Sequence, residues 1–332
     1  MTTVGVLGAG SWGTTLADLL ARKGHAVRLW AYEAEVVSAV NQRHHNPVFL
    51  PDCPLAESLT ATGDAVAAVR GADVVLTVAP SPVVRSVVEM ARPGIGPAAL
   101  VVSATKGIEP GTLQLMSAVL EELLPEHRVI ALSGPSFALE VYQQQPTAVV
   151  AAARAAATAR EVQEVFATAR FRVYSNTDVV GVELAAALKN VIAIAAGILE
   201  GLGLGNNPRA ALITRGLAEM TRLGVAMGAD PLTFAGLAGM GDLILTTTGA
   251  LSRNRALGVA LAQGVSLVEY NATHRTVAEG ANTAQAALEL AARMGTELPI
   301  CAQVASILFD GKPARQALAD LMERTLKSEQ WR

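Results

Sequence analysis

Cysteine is nearly absent, with Cys53 and Cys301 the only two in a chain of 332 residues. So few thiols argue against a disulfide framework or a structural zinc site, and a reducing, cytoplasmic setting is expected. Charge is scarce as well: 17% of residues, with a formal net charge of −3. A nucleic-acid or anionic-membrane binder would carry a basic excess or stripe, and neither is present. Long apolar runs are missing too. The mean hydropathy is +0.37, but the longest uncharged stretch, Thr2 to Ala17, is punctuated by glycines and hydroxyls. It falls short of the roughly 18–20 apolar residues that a spanning helix needs, so no membrane span is expected. No basic segment precedes the first apolar run, which argues against a secretory signal.

What the chain does have is alanine and valine. Hydrophobic residues make up 51% of it, which excludes disorder as the dominant state and suits buried helices on a buried parallel sheet. At roughly 100–200 residues per domain, the length predicts about two domains. The first half alternates. Strands are expected over Thr3–Leu7, His25–Trp30, Asp73–Val78, Leu100–Ser103, Arg128–Leu132, Ala148–Ala151 and Phe171–Tyr174. Helices are expected over about Ser11–Lys23, Val83–Ala91, Leu113–Leu123 and Ala159–Ala167. Alternation of this kind predicts a Rossmann-type, doubly wound parallel sheet. Near Asp178 the pattern changes to helices alone, and Val182–Leu199 is apolar nearly all round, as a fully buried helix would be. The expected division is residues 1–178, a dinucleotide-binding domain, and 179–332, an all-helical substrate domain.

Gly8-Ala9-Gly10-Ser11-Trp12-Gly13 matches G-x-G-x-x-G between a predicted strand and a predicted helix. In that context each glycine has a task. Gly8 permits a tight turn, Gly10 lets backbone approach a pyrophosphate, and Gly13 lets helix and strand pack closely. The helix start offers free N–H groups to the anion. NAD or NADP is therefore the expected cofactor. An acidic residue ending the second strand would bond the ribose 2′-OH and favour NAD. Here Tyr32 and Glu33 stand near that end, and Glu33 is equally readable as a solvated charge.

Other residues are candidates for chemistry. Lys106 follows a strand, where open α/β sheets bind ligands, though a surface loop lysine would look the same. Lys189 interrupts the apolar helix. It must snorkel, find a partner, or lose its proton readily, and the last suits a general acid/base. Asp242, in Gly239-Met240-Gly241-Asp242-Leu243, reads either as a helix cap or as a group orienting that lysine or a substrate hydroxyl. Ser252 can cap the helix opening at Arg253-Asn254-Arg255. Two arginines in a first turn oppose the helix dipole, which makes sense if an anion sits there, though two solvated arginines would look the same. The loop Ser133-Gly134-Pro135-Ser136-Phe137-Ala138 and the pair Glu279-Gly280 are ordinary turns or cleft contacts. The histidines lack metal-ligand spacing and the cysteines lack catalytic context, so no metal is expected.

Taken together the motifs resemble the NAD(P)-dependent bacterial glycerol-3-phosphate dehydrogenases, almost end to end. Beyond the glycine turn, the carriers are Ala104-Thr105-Lys106-Gly107, Ser133 to Ala138, Phe171 to Asn176, Leu188-Lys189-Asn190, Leu212 to Met220, Gly239 to Leu243, Ser252-Arg253-Asn254 and Glu279-Gly280. The lysine helix and the Ser252-Arg253-Asn254 triplet are the most specific. The resemblance implies that Lys189 is the proton donor and acceptor. It implies that Lys106, Gly134, Ser136, Asp242, Ser252, Arg253 and Asn254 join Lys189 around the substrate. Ser11, Trp12, Tyr32, Lys106, Ala138, Arg253, Val277 and Glu279 would border the cofactor. The partner implied is a small phosphorylated substrate, dihydroxyacetone phosphate or glycerol 3-phosphate, on the way to phospholipids. A homodimer is left open. Tyr32 and Glu33 depart from the His or Arg often seen there, which weakens a preference for NADP. The rivals are a β-hydroxyacid or ketopantoate-type dehydrogenase and a dinucleotide sensor without turnover.

Overall fold

The valine- and alanine-rich runs pair into one sheet. The computed structural model describes residues 1–273 and 278–325. Its strands are β1 (Thr3–Leu7), β2 (Ala26–Trp30), β3 (Thr60–Thr62), β4 (Val74–Thr77), β5 (Leu100–Ser103), β6 (Arg128–Ser133), β7 (Thr147–Ala152) and β8 (Phe171–Asn176). They lie in the order β3-β2-β1-β4-β5-β6-β7-β8. The helices of this half are α1 (Ser11–Arg22), α2 (Ala34–Arg43), α3 (Ala65–Val69), α4 (Val84–Ala91), α5 (Met116–Leu123), α6 (Ala138–Tyr142) and α7 (Ala156–Phe166). The order reverses at β1, so ligands are expected at the carboxyl ends of β1 and β4.

The sheet is not wholly parallel. β7 runs antiparallel to β6, and β8 runs parallel to β7. A parallel return needs a crossover that recrosses the sheet. Here the connection contains only α6, five residues long, and the chain turns back at the carboxyl end of β6. Helix α5 also starts later than its hydrophobic pattern predicts. Leu113 has φ +62°, and Ile108 and Leu115 form an antiparallel bridge. A left-handed residue cannot continue a right-handed helix, so α5 begins only at Met116. The sequence pattern shows no sign of α2, β3, α3 or α6.

After β8 the described residues form helices: α8 (Val179–Gly201), α9 (Asn206–Ala226), α10 (Pro231–Phe234), α11 (Asp242–Thr248), α12 (Arg253–Ala262), α13 (Leu267–Thr273), α14 (Glu279–Arg293), α15 (Pro299–Phe309) and α16 (Ala314–Met322). α8 is the axis of this half. It is long and apolar enough to cross a membrane, but 89% of its most apolar window is buried inside the protein. α9, α11, α12 and α14 pack on it. The crossing with α12 is close because glycines meet: a Cβ on Gly258 would lie 2.0 Å from the Ile194 carbonyl, and one on Gly197 1.9 Å from that of Arg255. This crossing brings Asn254, in the first turn of α12, to Asn190. Apolar residues fill both faces of the sheet and a third core around α8. Cys53 and Cys301 are buried and unpaired.

Candidate active site

The glycine turn has the shape its residues predict. Gly8 has φ +121°, and a Cβ there would lie 2.9 Å from the Ala79 nitrogen. A Cβ on Gly13 would lie 1.9 Å from the Gly8 carbonyl, so helix and turn fit only with glycine. A Cβ on Gly10 would meet nothing within 4 Å. Its open side is the space that an approaching pyrophosphate requires. Gly10 caps α1 without any side-chain hydrogen bond, leaving the first-turn N–H groups for an anion. These residues fit a dinucleotide. Ser11 donates its hydroxyl to the Phe49 carbonyl at 2.6 Å. Trp12 stacks obliquely near Phe171, with 6.4 Å between ring centroids. Its indole N–H is buried with no partner among the described residues. Ala138 opens α6, and its carbonyl accepts from the Thr15 hydroxyl at 3.3 Å, which ties α6 to α1. Tyr32 is 83% exposed just past β2.

The lysines converge. Lys106 Nζ lies 2.6 Å from Asp242 Oδ2, and Lys189 Nζ lies 2.9 Å from Asp242 Oδ1. Three separate elements supply the cluster: the loop after β5, α8 and α11. Asp242 is 1% exposed and Lys189 6%, so Lys189 has found partners and does not snorkel. Asp242 is not a helix cap, because Gly241 takes that position. A π-helical turn over Leu237–Gly241 precedes it and sets the angle at which α11 starts. Lys106 also donates to the Gly134 carbonyl at 3.1 Å, and Ser136 Oγ donates to the same carbonyl at 3.0 Å. Gly134 has φ +147°, and a Cβ there would lie 2.8 Å from the Val149 Cα.

Thr246 completes the cluster, and sequence reasoning missed it. Its hydroxyl donates back to the Asp242 carbonyl at 2.7 Å and accepts from Lys189 Nζ at 2.7 Å. The available signal was its spacing, i+4 from Asp242 on the same helix face. An ammonium has three donors. Asp242 and Thr246 take two of those on Lys189, leaving one for a substrate oxygen. Burial pushes Lys189 down to about 8, and the neighbouring Lys106 adds to the fall, against the pull of Asp242. Burial pushes Asp242 up, but the two ammonium groups together outweigh it and hold the carboxyl below its usual value. The result is a lysine able to give or take a proton near neutrality, held by an ionised aspartate.

The third group lies at the start of α12. Ser252 caps it, accepting from the Arg255 N–H at 3.2 Å. Arg253 opens onto solvent, yet the protein crowded around its guanidinium lowers its pKa, with Glu279 and Tyr270 pulling the other way. Asn254 is buried. Its Oδ1 accepts from the Gly280 N–H at 2.9 Å and its Nδ2 donates to Asn190 Oδ1 at 3.0 Å. Two of its polar atoms thus join α12, α8 and α14. Arg255 pairs with Glu200 and donates to the Gly249 carbonyl at 3.1 Å. Glu279 is the first residue of α14. Its carboxylate accepts from the Ser81 N–H at 3.2 Å and the Ser81 hydroxyl at 2.8 Å. Burial raises its pKa, and Ser81 and Arg253 pull it down. Ser81, just beyond β4, was not legible as a site residue. Val277 lies outside the described residues.

The chain is similar to known proteins along its whole length. Residues 3–159 match the model of the NAD-dependent glycerol-3-phosphate dehydrogenase N-terminus, and residues 178–319 match that of its C-terminus. A glycerol-3-phosphate dehydrogenase [NAD(P)+] from Geobacter sp. (strain M21) is 57% identical over 329 residues, 98% of each chain. The crystal structure of glycerol-3-phosphate dehydrogenase from Coxiella burnetii superposes with a TM-score of 0.93 at 41% identity, covering 97% of this chain and 99% of that one. A ketopantoate reductase from Ralstonia eutropha reaches a TM-score of 0.59 at 18% identity, covering 97% and 100%, which is a likeness of fold alone. The glycine turn, the paired lysines and matches to both halves lead to one conclusion: the chain belongs to the NAD-dependent glycerol-3-phosphate dehydrogenase family.

Proposed function

We propose that the protein interconverts dihydroxyacetone phosphate and sn-glycerol 3-phosphate with NADH or NADPH as partner. The observation that carries this is the Lys106–Asp242–Lys189 cluster, in which a buried aspartate joins a buried and a half-buried lysine. When bound, the nicotinamide supplies a hydride to C2. Lys189 Nζ gives its proton to the carbonyl oxygen that becomes the hydroxyl, and takes one back in the reverse direction. Asp242 and Thr246 hold that amine in line, and Lys106 adds positive charge beside the developing alkoxide. The phosphate sits at the first turn of α12, where N–H groups and the Arg253 guanidinium offer charge-assisted hydrogen bonds. Gly134 and Ser136 close the substrate's other side. Glu279, Ala138 and Trp12 line the dinucleotide. The domain boundary falls at residue 178, just before α8. The setting is cytoplasmic and the product supplies phospholipid synthesis.

The test is one assay. NADH and NADPH oxidation is followed with dihydroxyacetone phosphate, with ketopantoate and with a small 3-oxo acid. Turnover with dihydroxyacetone phosphate at least a hundredfold above the carboxylates is expected. Turnover with carboxylates alone would replace the reading by a hydroxyacid dehydrogenase, and dinucleotide binding without any turnover would replace it by a sensor.

A further inference from the structure

The connection from β5 to α5, residues 104–115, belongs to both halves of the molecule. Ile108, Leu113 and Leu115 are buried in the core around α8. The same segment carries Lys106. On the sheet side, Thr105 donates its hydroxyl to the Ala79 carbonyl at 2.8 Å. Gly107 lies so close to the β4 loop that a Cβ would be 2.4 Å from Ser81 Oγ. The segment folds around one carboxylate, Glu109, which is 6% exposed. Thr112 donates to it, and the Glu109 N–H donates to the Gln114 carbonyl at 2.9 Å.

A buried carboxylate that stays ionised needs a counter-charge. Arg85 of α4 supplies it as a fork: Nε to Glu109 Oε1 at 2.9 Å and Nη2 to Oε2 at 3.0 Å. The same guanidinium reaches Gln114 Oε1 at 3.0 Å and Glu122 Oε1, on α5, at 2.7 Å. Arg85 therefore ties both ends of the turn and the following helix to α4, and its partner Glu109 lies three residues from Lys106. An arginine paired this way resists replacement by lysine, which has no planar fork.

We propose that Arg85 is a positioning residue for the reaction: through the Glu109-centred loop it fixes Lys106 against Asp242. This rests on the proposed role of Lys106 at the substrate. Among the described residues the side-chain hydrogen bonds of Arg85 go to Glu109, Gln114 and Glu122, and not to Lys106. Its influence runs through the backbone of the loop.

The experiment is a double-mutant cycle on the full chain with Arg85→Ala, Arg85→Lys, Lys106→Met and the two combinations. Arg85→Ala is expected to lower kcat for dihydroxyacetone phosphate about tenfold, which corresponds to roughly 1.4 kcal/mol, with NADH affinity unchanged within about twofold. Arg85→Lys, which keeps the charge and is the variant to use if the alanine form does not fold, is expected to lose about threefold. In the Lys106→Met background either change costs less than about twofold, because its route to the site is already gone. A second readout is the alkaline limb of the pH–rate profile. Lys106 lowers the Lys189 pKa, so Lys106→Met moves the limb up, and Arg85→Ala moves it the same way. Equal Arg85 losses in both backgrounds, or an unmoved limb, overturn the proposal alone. A Lys106→Met enzyme with native turnover overturns the reading of Lys106, and the proposal with it.

Discussion

The dinucleotide end and the lysine cluster are built in opposite ways. The first is a run of six residues, Gly8 to Gly13, whose working groups are backbone N–H donors and an open space beside Gly10. The second has no local sequence. Asp242 meets Lys106 across 136 positions and Lys189 across 53. A site made of backbone tolerates change in its surroundings but no added Cβ. A site made of buried charges depends on every partner, because each ion is stable only while its counter-ion is in place.

That contrast predicts where substitutions hurt. The largest effect is expected at Lys189. Lys189→Ala should lower kcat by about 10²–10⁴, the usual worth of a general acid or base, while NADH binding, followed by fluorescence titration, changes less than twofold. Comparable losses in both would mean that the two ends are not separable. The same lysine sets the sign of the pH dependence. With its pKa lowered to about 8, reduction of dihydroxyacetone phosphate needs the protonated amine and should fall as pH rises through about 8. Oxidation of glycerol 3-phosphate needs the neutral amine and should rise over the same interval. Initial rates in both directions between pH 6 and about 10 check this, and parallel profiles would count against Lys189 as the proton carrier.

Next comes Arg253. Replacing it with alanine should remove a charge-assisted bond of about 1.5–3 kcal/mol. In kcat/KM that is roughly 10- to 100-fold for dihydroxyacetone phosphate and little for unphosphorylated dihydroxyacetone. Equal losses would show that Arg253 does not read the phosphate.

Two glycines sharpen the backbone side. Gly13→Ala forces a Cβ to within 1.9 Å of the Gly8 carbonyl, and overpacking of this kind costs about 1–3 kcal/mol, so the melting temperature should drop. Gly10→Ala meets no protein atom within 4 Å. It should melt like the parent yet bind NADH about tenfold more weakly, because the methyl group fills the approach to the pyrophosphate. Melting curves and NADH titrations distinguish the two, and identical behaviour would deny Gly10 its role. The smallest expected effect concerns the adenosine end. Glu33 caps α2 with no side-chain hydrogen bond to the helix start and is half-buried. NADH should be used at least as well as NADPH, and Glu33→Arg should move the kcat/KM ratio toward NADPH by about tenfold per 1.4 kcal/mol. A parent enzyme that already prefers NADPH by more than tenfold would assign the adenosine end to another group.

Much of this was legible before the structure. β1 and β5 lie where their apolar runs predict, and the glycine turn announces its own geometry. α8 stood out as buried because no face of it is polar. The elements that escaped are short or weakly patterned: β3 has three residues at a sheet edge, α3 and α6 have five each. Such pieces are held by tertiary contacts, since a single helical turn is not stable alone. The reversed β7–β8 pair escaped because strand direction depends on where the connecting chain runs.

The sequence by itself determined the local matters: strands and helices with strong periodicity, the change of architecture near Asp178, and a tight glycine turn between β1 and α1. Each depends on neighbours a few positions away, through dihedral limits and the period of the apolar residues. Only the tertiary structure decided which charges share a site. In the sequence Asp242 reads equally as a cap or as a group orienting the lysine, Lys106 equally as a loop lysine or a substrate contact, and Thr246 as an unremarked helix residue, until α8, α11 and the β5 loop are packed together. Coulomb interactions depend on distance in space and on the surrounding dielectric, not on sequence separation, and burial strengthens them. The depressed pKa of Lys189 and the pairing that makes it usable are therefore properties of the fold.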